Sequence, residues 1–451
     1  MKIIMRTLLL LSALLFTACG GGGSIDTINN SEADTAITCH ESPATGILRK
    51  KVGKSNIAFQ NFNNEQTILV ENIEENTIPS IAGTSYNSSL LYNLLHSSYY
   101  WASETREENN LNQYASPQTM INDLAYTKDR WSFAISPSSY NQLISQKSEG
   151  LGFACTSVTK GCHITRVRLD SPADKVGLQR GDIILTLNGL AGTWENVILL
   201  AQQRKPIAFK IERENQIIQV CSCKVTPREY SYKVIKTKIV KSPNNTTVGY
   251  LQFDSFMGGD EIINQLNQAF QEFKDASINK LVIDLRYNGG GAVSIASELL
   301  NKLTTSHTSD LQFTLAWNSD YASNNHPYNF QNDPHAIELE QILFLTTANS
   351  ASASELVINA MKPYLAAEDV VTIGDKTHGK PVGMSGIAGN YYYYFLINFV
   401  VKNSLGFYDY FQGLPVTSGC DIEDDFFHVR GDVNESMLKA ALTYIDIGSC
   451  Q

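Results

Sequence analysis

At 451 residues, with 43% hydrophobic positions and a formal net charge of −10, the chain is too long for one compact core and has an ordinary globular composition. The acidic balance excludes nucleic acid or an anionic membrane surface as the main partner. Beyond the first twenty residues no apolar run is long enough to cross a membrane.

The chain starts MKIIMRTLLLLSALLFTACGGGGS. Lys2 and Arg6 precede a short apolar run from Leu8 to Phe16, and small residues then lead to Cys19, which is the layout of an export signal. Phe16-Thr17-Ala18-Cys19 resembles a bacterial lipobox, with Phe16 where leucine is more usual. That resemblance makes residues 1–19 a lipoprotein signal peptide and Cys19 the lipidated first residue of the mature protein. It implies a membrane partnership through a lipid anchor. Gly20 rather than aspartate after the cysteine implies the outer membrane of the cell envelope, on its periplasmic or surface side. Residues 20–39 are glycine-rich and polar, cannot build a core, and are expected to be a flexible tether.

Residues 40–145 are expected to form an N-terminal helical domain. SSLLYNLLHSSYYWA repeats apolar residues at helical spacing, and Ser116-Pro117 pairs a capping serine with proline at a first helical position. From residue 146 to 228 the texture changes to short strands and turns, with a helix over TWENVILLAQQ. Gly150-Leu151-Gly152-Phe153 is a glycine-rich turn that can present N–H groups to a terminal carboxylate, and SPADKVGLQRGDIILTLNG follows it. Together these two strings resemble a PDZ domain, and the resemblance implies peptide binding at Gly150 to Phe153.

In residues 229–451 strands and helices alternate. LVIDL, ILFLT and VVTIG are short apolar runs suited to buried parallel strands, separated by helices and joined by right-handed crossovers. The loops leaving their C-terminal ends then gather along one edge of the sheet, where open α/β folds place their sites. Those loops are Asn288-Gly289-Gly290-Gly291, Ser350 to Ser354, and Thr377-His378-Gly379-Lys380. They supply backbone N–H groups, hydroxyls at a helix start, and an amine, the parts of an acyl-transfer site. Ser352-x-x-Glu355 also fits a capping box, a reading compatible with the first. His378 has no acid with triad logic and no G-x-S-x-G string beside it, so it is read as non-catalytic.

The order of segments, with VGYLQFDSF, LVIDLRYNGGG, SASASE and GDKTHGK, resembles the tail-specific, or carboxyl-terminal processing, serine proteases. The resemblance implies a multidomain protein of α/β and α+β class: an N-terminal helical region, a PDZ-like β-rich domain and a crotonase-like αβ core. It implies Ser352 as nucleophile, Lys380 as general base, and the N–H groups of Gly290 and Ala353 as oxyanion donors. The expected activity is a serine endopeptidase of the bacterial envelope that cleaves polypeptides held by a free apolar C-terminus, with an adaptor lipoprotein as a possible further partner. Many members carry a glutamine four residues after the lysine; here Met384 stands there, leaving Ser385 or backbone carbonyls to hold the amine. Met384 also keeps open a second reading, a catalytically weak or inactive peptide-binding protein, and a third is a hydrolase of envelope esters or amides.

Of eight cysteines, seven remain beside Cys19, an odd number that leaves at least one unpaired. Cys420 and Cys450 bracket the last segment and are the first disulfide expectation, Cys155 with Cys162 the second. Cys221 and Cys223, two apart on one strand, face the same side and are not expected to bond each other. No Cys/His cluster accompanies them, so no metal and no cofactor are expected.

Overall fold

The computed structural model describes residues 25–27, 86–137, 140, 147–220, 226, 228–389 and 391–451. The expected signal peptide, Cys19 and most of the tether lie outside them, as do Cys39, Cys221 and Cys223. One part of the tether departs from expectation. Ile25–Thr27 adds an antiparallel strand to Gln216–Val220, Ile25 opposite Val220, because two β-favouring residues meet an open sheet edge.

Residues 148–232 belong to one compact unit. Its antiparallel sheet runs in the order Ile25–Thr27, Gln216–Val220, Phe209–Arg213, Ile183–Leu187, Gly161–Val167, Phe153–Val158. Ile164, Ile184, Leu187, Phe209 and Ile211 are fully buried on one face, and Val197, Leu200 and Ala201 of the helix Trp194–Gln202 cover them. The Thr193 hydroxyl caps that helix by accepting the Asn196 N–H at 3.3 Å. Cys155 and Cys162 are bonded across the hairpin formed by the last two strands of the order.

The second unit carries the alternating elements. Thr247–Phe253, Lys280–Asp284, Gln341–Thr346 and Val370–Gly374 pair side by side, all parallel, with Ile235–Lys241 antiparallel at one edge. The three apolar runs read as parallel strands are the last three of these. Their side chains are buried on both faces, which is why they read as unbroken runs rather than alternations. Helix Asp260–Asp275 turns Ile262, Leu266, Phe270 and Phe273 inward, and Ser436–Ile447 packs Leu438, Ala441 and Leu442 against the other side. The Cys420–Cys450 disulfide ties this last helix back to the strand region. A second, antiparallel sheet runs His326–Asn329, Leu311–Trp317, Tyr393–Asn403, Val382–Ala388, with Phe133–Ile135 also on Tyr393–Asn403.

In the N-terminal region, expected as a helical domain over residues 40–145, Leu91, Leu95, Tyr99, Met120 and Ile121, from the helices Ser88–Leu95 and Pro117–Leu124 and the turn between, share one core with Val382, Tyr394, Leu396, Ile397 and Val400. Two eight-residue helices are too short to bury an apolar face against each other alone.

A buried ionic cluster joins the parallel sheet to the C-terminal segment. Arg286, fully buried, reaches Asp284 at 2.7 Å, Asp424 at 2.8 Å and Glu435 at 2.7 Å; Arg430 reaches Asp254 at 2.7 Å and Asp284 at 3.0 Å. Burial alone would raise the Asp284 carboxyl, but Arg286 and Arg430 hold it well below the usual carboxylate range. Replacing Arg286 by methionine (Arg286→Met) removes the guanidinium that pairs with Glu435 and Asp424. The expected loss is about 3–5 kcal/mol of stability, read from urea unfolding.

Candidate active site

The three loops expected to converge do so at the C-terminal ends of the parallel strands. Ser350 and Ser354 are fully buried and their hydroxyls donate to the carbonyls of Leu285 (2.8 Å) and Asn288 (2.9 Å), fastening the serine loop to the glycine loop. Ser352 lies between them and is only half-buried. Its backbone adopts φ 57°, ψ −113°, a region L-residues rarely occupy, at a cost of about 1–3 kcal/mol. A serine on a sharp, strained turn between strand and helix is presented for reaction. The G-x-S-x-G string is absent, yet small neighbours Ala351, Ala353 and Gly290 allow the same kind of turn. A Cβ on Gly290 would stand 2.7 Å from Ser352 Cβ and 3.0 Å from the Ala353 nitrogen, so glycine is required there.

Glu355 gathers the site. Its carboxylate is buried and accepts four hydrogen bonds: the Ser352 N–H (2.8 Å), the Thr377 hydroxyl (2.6 Å), the Gly379 N–H (2.6 Å) and the Lys380 N–H (2.8 Å). The Ser352 and Lys380 amides share one oxygen, Oε2. The capping reading is therefore half the story, since the other oxygen holds the lysine loop. Burial raises the Glu355 carboxyl above its ordinary value, against the pull of these donors. The lysine loop is also held from its far side, where Thr377 Oγ1 accepts the Leu414 N–H at 2.7 Å. Gly379, at φ 87°, passes so close that a Cβ would lie 2.5 Å from the Phe411 carbonyl oxygen.

Lys380 is half-buried over the whole residue, but its amine is withdrawn from water. Desolvation lowers it to about 8, with the carboxylates of Asp129 and Glu355 opposing. Burial, the Arg130 guanidinium and Lys380 also lower His378, whose Nδ1 lies 3.3 Å from the Ala348 carbonyl oxygen. Met384 packs into the core shared with the N-terminal helices. Next to it, the Ser385 N–H is engaged with Asn398 Oδ1 at 2.8 Å.

The Gly290 N–H, expected as an oxyanion donor, donates to Asn288 Oδ1 at 2.9 Å inside its own turn. Asn288, missed in the sequence reading, organises the loop: its Nδ2 donates to Phe253 and its carbonyl accepts from Ala351 and Ser354. The Ala353 N–H opens the helix Ala353–Met361, where an amide has no partner within the helix.

In the other unit, Gly150 and Gly152 have φ of 138° and 79°, and Leu151 and Phe153 are buried. Leu151, Gly152 and Phe153 border a cavity of about 290 Å³ whose wall includes Val197, Ile198 and Ala201 of the helix, with Arg166, Arg168 and Arg204 around it. Phe153–Val158 is the end strand of the described sheet.

Glu355→Ala would leave three amides and a hydroxyl unanswered in the interior. A loss of about 2–5 kcal/mol is expected by urea unfolding, together with loss of any activity that depends on Ser352 and Lys380.

Residues 247–390 match the profile of peptidase family S41, residues 89–133 that of the peptidase S41 N-terminal domain, and residues 142–212 that of the PDZ domain. The chain is 24% identical over 304 residues to carboxyl-terminal-processing peptidase 1, chloroplastic, of Arabidopsis thaliana, covering 63% of this chain and 59% of that one. It is 23% identical over 297 residues to a probable CtpA-like serine protease of Staphylococcus epidermidis, covering 65% and 56%. The chain thus spans less than two thirds of the length of these relatives. A crystal structure titled as a putative S41 protease from Bacteroides fragilis shares the fold with TM-score 0.69 at 23% identity, covering 82% of this chain and 98% of the other. With the N-terminal, PDZ and peptidase segments matched in that order, the chain belongs to peptidase family S41.

Proposed function

We propose that the chain is a serine endopeptidase that takes polypeptides by a free, apolar C-terminus in the PDZ groove and cleaves them with a Ser352/Lys380 dyad. The observation that carries this reading is the single Glu355 oxygen that accepts both the Ser352 and the Lys380 N–H. It ties together two segments that are otherwise separated along the chain. Relatives named as carboxyl-terminal-processing peptidases support the substrate class. Phe153–Val158, the end strand of the sheet among the described residues, suits addition of a peptide strand, with the terminal carboxylate at Gly150 to Phe153 and apolar side chains against Val197 and Ala201.

In this mechanism the neutral Lys380 amine takes the Ser352 hydroxyl proton as the oxygen attacks the scissile carbonyl carbon. The Ala353 N–H and the positive end of its helix receive the developing oxyanion. The proton then passes to the leaving amine, the C–N bond breaks, and water releases the acyl group from Ser352. The leader and Cys19 support an envelope location with a lipid anchor, and an adaptor lipoprotein fits that setting. The second reading, a peptide-binding protein with little turnover, is favoured by the engaged Gly290 N–H and by Met384.

Cleavage of an unstructured polypeptide with a free or an amidated C-terminus tests the proposal. Ser352→Ala should abolish cleavage, Lys380→Ala should slow it by about 10²- to 10⁴-fold, and amidation should weaken capture. Because the base acts only when neutral, kcat/KM should rise with pH through about 8, the value to which burial lowers Lys380. Equal binding with no turnover in wild type and Ser352→Ala would favour the peptide-binding reading.

A further inference from the structure

The lysine loop is gripped from outside the peptidase segment. The turn before the strand Phe133–Ile135 places one guanidinium nitrogen of Arg130 2.9 Å from the His378 carbonyl oxygen and 3.3 Å from those of Gly379 and Phe411. These are the two residues immediately before Lys380 and the residue whose carbonyl Gly379 abuts. Arg130 also lies over the Trp131 ring at 4.9 Å, and Trp131 packs beside Phe411. The turn itself is rigidly made. Asp129 accepts the N–H groups of Trp131 (2.9 Å) and Ser132 (3.0 Å) on one oxygen, and the hydroxyls of Tyr99 (2.8 Å) and Ser132 (2.5 Å) on the other.

We propose that Arg130 is a positioning residue for Lys380: it fixes the path of residues 378–380 from the N-terminal region, while Glu355 fixes the same loop from the helix side. This rests on the Ser352/Lys380 reading. A loop held at its N–H groups by a carboxylate and at its carbonyls by a guanidinium cannot rotate its peptide planes, so the Lys380 side chain leaves the backbone in one direction. An arginine suits the task because one planar head spans several carbonyls while lying over an aromatic face.

The test is steady-state cleavage by full-length Arg130→Gln and Arg130→Lys, with thermal unfolding of each. Arg130→Gln is expected to lower kcat about 10- to 100-fold with KM and the unfolding temperature unchanged, and Arg130→Lys to recover part of it. Wild-type kcat in Arg130→Gln overturns the proposal. So does a loss shared by kcat, KM and thermal stability that lysine does not recover, which marks a purely structural arginine. If instead Ser352→Ala cleaves like wild type, it is the dyad that fails, whatever the Arg130 variants do.

Discussion

The Glu355 carboxylate holds apart and together what the site needs. Four donors converge on it from the turn at Ser352 and from residues 377–380, and each would otherwise be an unanswered polar group in the interior. An ionised carboxylate that accepts so many bonds tolerates burial that would otherwise neutralise it. The strain at Ser352 is sustained in the same way: the turn is over-determined by Glu355 on one side and by the Ser350 and Ser354 hydroxyls on the other. The half-buried Ser352 is thus held from both sides of its strained turn.

Behind that loop, the Asp284–Arg286–Arg430 cluster anchors the glycine turn to a C-terminal segment more than a hundred residues downstream. The Arg286 carbonyl also accepts from the Thr347 hydroxyl, so the ionic cluster and the serine loop meet at one peptide. Glu435 both answers Arg286 and caps the helix Ser436–Ile447, which is itself tied by Cys420–Cys450. The parallel sheet, the C-terminal helix and the reactive loop are therefore one mechanical body. Rigid support of this kind is what a reaction with tight positional demands requires.

Much of this was legible in the chain. LVIDL, ILFLT and VVTIG are nearly continuous apolar runs, the first carrying one acid, ending at glycine or polar turns, the pattern of strands buried on both faces. The three loops followed because loops at the ends of such strands must gather on one edge; within them, Ser352 and Lys380 were singled out by the resemblance to the tail-specific proteases. What stayed hidden was mostly non-local. Glu355 read as half of a capping box, and its bonds to residues 377–380 have no local signature. The acid in LVIDL was visible, but its partners Arg430 and Glu435 lie far along the sequence. Arg130 carries no motif. The N-terminal helices showed their apolar spacing without showing that Tyr394 and Leu396 complete their core. A glycine turn advertises free amides, and the bond from the Gly290 N–H to the side chain of Asn288 two residues earlier could not be read from the string.

The most direct measurement is the pH dependence of covalent labelling by a fluorophosphonate, followed by mass spectrometry of the labelled peptide. The account predicts a single adduct on Ser352, with a labelling rate that climbs through one ionisation near pH 8 and is largely lost in Lys380→Ala. An adduct on another residue, or labelling of Ser352 at a rate indifferent to pH and to Lys380, would contradict it.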